Sequence, residues 1–99
     1  MKYIKTVRQA GVAKFLADED INLNEFRSLM KELASILRSK VEWIAMPEAE
    51  IGKIKLSTGE IYAKLDFEYG LELNCSDLMD HEILRIEAAL SAKFFSRTR

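Results

Sequence analysis

GEIYAKLDFEYGLELNC, residues 59–75, alternates apolar and polar side chains almost without a break. Ile61, Ala63, Leu65, Phe67 and Tyr69 take one set of positions; Glu60, Tyr62, Lys64, Asp66 and Glu68 take the other. A period of two marks strands with one dry face and one wet face, the usual state of an antiparallel sheet packed on a single side. Gly70 breaks the run, and parity constrains how. A two-residue turn at Tyr69-Gly70 would set Glu68 opposite Leu71 and either bury a charge or expose a leucine. A three-residue loop centred on Tyr69, with Phe67 opposite Leu71, keeps Leu71, Leu73 and Cys75 inside. A single strand kinked by a glycine bulge would satisfy parity too. Strand-length statistics favour the hairpin, because one strand from 60 to 75 would be unusually long.

Working outward, Ser57-Thr58-Gly59-Glu60 has turn chemistry. A four-residue loop there sets Leu56 opposite Ile61 and places Ile54 and Leu56 on the dry side, with Lys53 and Lys55 on the wet one. KVEWIAM, residues 40–46, reads as a further strand stopped by Pro47, which cannot donate to a ladder. The run is too short for parity to decide between Val41, Trp43 and Ala45 facing inward and Ile44 and Met46 doing so. Trp43 is core in the first arrangement and surface in the second.

Two helices flank this block. Asn22 with Glu25 three residues later is the Asx form of a capping box, and Phe26, Leu29, Met30, Leu33, Ile36 and Leu37 follow at spacings of three and four. The pattern predicts an amphipathic helix over about residues 23–39, with Arg27, Ser28, Lys31, Glu32 and Ser35 on its solvent side. A second helix is expected over about 77–95, capped by Ser76 or Asp77 and carrying Met79, Ile83, Ile86, Leu90 and Phe94 as its stripe. Residues 3–17 read as a hairpin, Tyr3 to Arg8 and Val12 to Ala17 around Gln9-Ala10-Gly11, or as a helical stripe; the hairpin is preferred. The expected fold is α+β over residues 1–99 as one domain. It has the order ββα-ββββ-α, with an antiparallel sheet of about five to six strands and both helices on one face.

Composition narrows the function. Ninety-nine residues, 48% hydrophobic and 31% charged, suit one globular core and no deep cleft. Fifteen basic against sixteen acidic residues give a formal charge of −1, without the cation excess that neutralises phosphates, so nucleic acid is not an expected partner. Asp18-Glu19-Asp20 and the basic tail with Lys93, Arg97 and Arg99 read as solvated chain. The single cysteine excludes an internal disulfide and a cysteine-based zinc cluster. MKYIKTVRQAG has no signal-like apolar run, and no segment has membrane length, so the expected location is cytoplasmic.

Three groups of residues could carry chemistry. Asp66, Glu68 and Glu72 fall at wet positions beside Lys53, Lys55, Tyr62 and Lys64. Exposed carboxylates keep ordinary pKa values and make poor general acids, so these seven residues read as the open face of a sheet and as a partner-binding surface. Cys75 has inward parity and reads as core, although its place before a helix N-terminus could activate it. His81, the only histidine, lacks further metal ligands and an evident nucleophile. The phosphate-binding, zincin and serine-hydrolase motifs are absent. These readings lead to a non-enzymatic cytosolic module of the immunity, inhibitor or adaptor kind, with no cofactor and no metal. Its partner is another protein, or itself as a homodimer paired through an edge strand, either 41–46 or the N-terminal strand. The alternative is a small-molecule domain or minor enzyme with a pocket lined by Tyr69, Cys75 and His81.

Overall fold

A computed structural model describes residues 3–9, 11–17 and 21–96. The acidic run at 18–20 and the basic residues Arg97 and Arg99 lie outside that set. The elements in chain order are β1 (Tyr3–Gln9), β2 (Val12–Ala17), α1 (Leu23–Ile36), β3 (Val41–Met46), β4 (Ala49–Lys55), β5 (Glu60–Asp66), β6 (Gly70–Ser76), α2 (Asp80–Ser91) and β7 (Phe95–Ser96). The α+β architecture expected from the alternation is present. Six antiparallel strands form a sheet in the order β3-β4-β5-β6-β2-β1, and two-residue β7 adds a parallel pair beyond β1. The N-terminal segment is the hairpin, with Gln9 opposite Val12 and Gly11 at φ +76°, in the left-handed region that glycine enters freely.

Parity holds through β5 and β6. Ile61, Ala63, Leu65, Leu71, Leu73 and Cys75 are buried, and their even-numbered neighbours are not. Both loops keep the expected lengths of four and three residues, but the pairing is displaced by two residues at each turn, which preserves the faces and changes the tips. Ile54, not Leu56, lies opposite Ile61. Leu65, not Phe67, lies opposite Leu71, so the loop is Phe67-Glu68-Tyr69, centred on Glu68. Asp66 closes that loop: its Oδ1 accepts from the N–H groups of Glu68 at 2.9 Å and Tyr69 at 3.0 Å, an Asx turn, and Gly70 at φ +98° leads the chain into β6. Phe67 and Tyr69 are consequently exposed rather than inward.

The capping box of α1 is formed as read: Asn22 Oδ1 accepts from Glu25 N–H at 2.8 Å, and Glu25 Oε1 accepts from Asn22 N–H at 3.1 Å. The helix stops three residues short of the expected end. Arg38 turns left-handed at φ 56°, with Ser39 N–H donating to Ala34 O and Arg38 N–H to Ser35 O, the Schellman pattern with arginine where glycine is usual. Helix α2 starts later than expected for a related reason. Ser76 remains in β6, and Asp77 adopts φ 60° while its N–H donates to Gly11 O. Glu82 then supplies the cap from inside the helix, its Oε1 accepting from Met79 N–H at 2.8 Å. The far end also differs, since residues 95–96 extend along β1 instead of continuing the helix.

Both helices cover one face. Phe26, Leu29, Met30 and Leu33 of α1 and Ile83, Ile86 and Leu90 of α2 pack on the dry side of β2, β4, β5 and β6 in one cluster. Burying each large apolar side chain of this set contributes about 1.5–3 kcal/mol, so the core and not the surface charges holds the domain together. The β4–β5 loop is fixed against the end of β6 by a close approach: a Cβ on Gly59 would collide with the backbone oxygen of Ser76.

Candidate functional site: the open face and free edge of the sheet

The register assigns every strand residue to a side. On the face away from the helices lie Glu42, Ile44 and Met46 of β3, Ala49, Ile51, Lys53 and Lys55 of β4, Tyr62, Lys64 and Asp66 of β5, and Glu72 and Asn74 of β6. The predicted surface residues Lys53, Lys55, Tyr62, Lys64, Asp66 and Glu72 are therefore brought together there, and Glu68 stands at the turn beside them. Their roles differ. Asp66 is a structural acceptor: the Glu68 and Tyr69 N–H groups hold its carboxyl below the ordinary 3.8, with a smaller contribution from Lys64 at 3.9 Å. Glu72 accepts from Asn74 Nδ2 at 2.8 Å. An open cleft of about 390 Å³ lies across the strand ends between Leu16, Lys64, Asp66, Tyr69 and Glu72. Neither Cys75 nor His81 lines it.

Part of this face is apolar, as the arrangement with Val41, Trp43 and Ala45 inward requires. Ile51 faces away from the helices, yet it is 5% exposed, because Ile44 and Lys64 flank it across the ladders. Ile44 is 44% exposed and Met46 48%. Tyr62, paired with Lys53, is also exposed. A side chain at an outward position that is nevertheless dry leaves no alternation to read, because β4 is buried on both faces from Ala49 to Gly52.

Trp43 resolves as neither alternative in full. It faces the helices with Val41, and its ring meets Phe26 edge-on at 6.1 Å between centroids. It still remains 39% exposed, because β3 is the outermost strand and the helix layer covers it only in part. Gly52, opposite Trp43, lets the indole lie against the sheet: a Cβ there would meet Trp43 and Val41 carbons at 3.3 Å and Met30 Cε at 3.2 Å.

Glu50 has inward parity on β4 and is 6% exposed. Arg27 reaches it from α1 with two parallel bonds, Nε to Oε2 and Nη2 to Oε1, both 2.7 Å. This fork holds the carboxyl below the ordinary range against the opposing effect of burial. Arg27 thus pins α1 to the sheet next to Trp43, although its place in the helical pattern marked it as solvent-facing. An inward charge always requires a partner, so Glu50 read as part of β4 would have directed attention to a nearby cation.

The alternative pocket is not assembled. Tyr69 sits in the β5–β6 turn, and Cys75 lies six residues on along an extended strand, about 20 Å away at the rise of a β-strand. Cys75 is buried in the core, and desolvation pushes its thiol up to about 12, which leaves almost no thiolate at neutral pH. His81 is exposed in the first turn of α2. Among the described residues no group of three or more His, Cys, Asp or Glu side chains could hold a metal ion, and no helix is long and apolar enough to cross a membrane. No known family model matches the chain, and no curated protein or solved structure is significantly similar to it.

Proposed function

We propose that the protein is a non-enzymatic binding module whose uncovered sheet face receives another protein. The observation that carries this reading is the exposed apolar group Ile44, Met46 and Tyr62, on the one broad surface that neither helix covers, set among Lys53, Lys64 and Glu72. Interfaces have this composition, with an apolar centre inside a charged rim that excludes water and sets orientation. The complementary partner presents an apolar side chain to Tyr62 and Ile44, with charges opposite in sign to Lys53, Lys64 and Glu72. A cytoplasmic location suits the free, buried thiol of Cys75.

The test is affinity capture from the native cell with the wild-type chain and with Tyr62→Ala/Lys64→Glu. A partner retained by the wild type and lost by the variant, at matching thermal midpoints, supports the face. Identical captured sets refute it. Asp66 is unsuitable as a probe, because reversing its charge would also open the β5–β6 turn.

A further inference from the structure

We draw no further inference here: the strongest candidate, the outer edge of the sheet at β3 (Val41–Met46), is exposed along nearly its whole length with no lysine, proline or bulge to blunt it, but nothing in the structure shows what covers it.

Discussion

Glu50 shows how much one side chain depends on another. Its carboxylate is taken almost wholly out of water, a placement tolerated because Arg27 supplies two short bonds from the adjoining helix. The pair gives stability a defined pH dependence. The folded state holds Glu50 below its ordinary 4.5, so the unfolded chain binds more protons between the two values, and stability falls as pH drops through that window. Asp66 and Glu82 act in the same direction, each lowered first by backbone N–H donors. Glu50→Gln is therefore expected to be less stable than the wild type at about pH 7, with the difference shrinking as pH falls below about 4.5 and the wild-type carboxylate is itself protonated. Urea midpoints of both chains across that range check it. A gap that stays constant down to about pH 3 would show that the Arg27 fork contributes shape and not charge.

Elements are where sequence and structure part company, and each departure has a local cause. The alternation at residues 60–75 left no doubt about which side of β5 and β6 is dry, because burial repeats with the period that periodicity detects. Registers were less legible: moving a pairing by two residues leaves every side chain on its own face, so hydrophobicity cannot distinguish Phe67 from Leu65 opposite Leu71. Helix ends failed for a different reason. Arg38 and Asp77 take the left-handed conformation without being glycine, and the α2 cap comes from Glu82 instead of a residue ahead of the helix. A cap built from backbone geometry alone has no compositional signature. Within the candidate site, Lys53, Tyr62 and Lys64 followed from alternation, whereas Glu50 and Ile51 escaped because β4 is dry on both faces at that point. The Arg38 corner also yields a test: Arg38→Gly removes the Cβ crowding at φ 56° while leaving the Schellman bonds, and is expected to stabilise the domain by about 0.5–1 kcal/mol. A destabilised variant in a urea melt would mean that the arginine side chain does more for the corner than its backbone costs.

At the scale of the molecule the sheet is asymmetric in two directions. One face carries both helices and the other carries none. Across the strands, β5 sits between β4 and β6, whereas β3 has β4 on one side only. Every inward side chain of β5 is buried, so its amides can exchange with solvent only when the core itself opens. The amides of β3 that point to the free edge need no such opening. Hydrogen exchange should therefore rank the strands by position and not by sequence order, with β5 and the adjoining ladders of β4 and β6 slowest and tracking global unfolding, and β3 fast in dilute solution. If β5 exchanged as readily as β3 in dilute solution, the single cluster joining α1, α2 and the sheet would not be the cooperative unit described above.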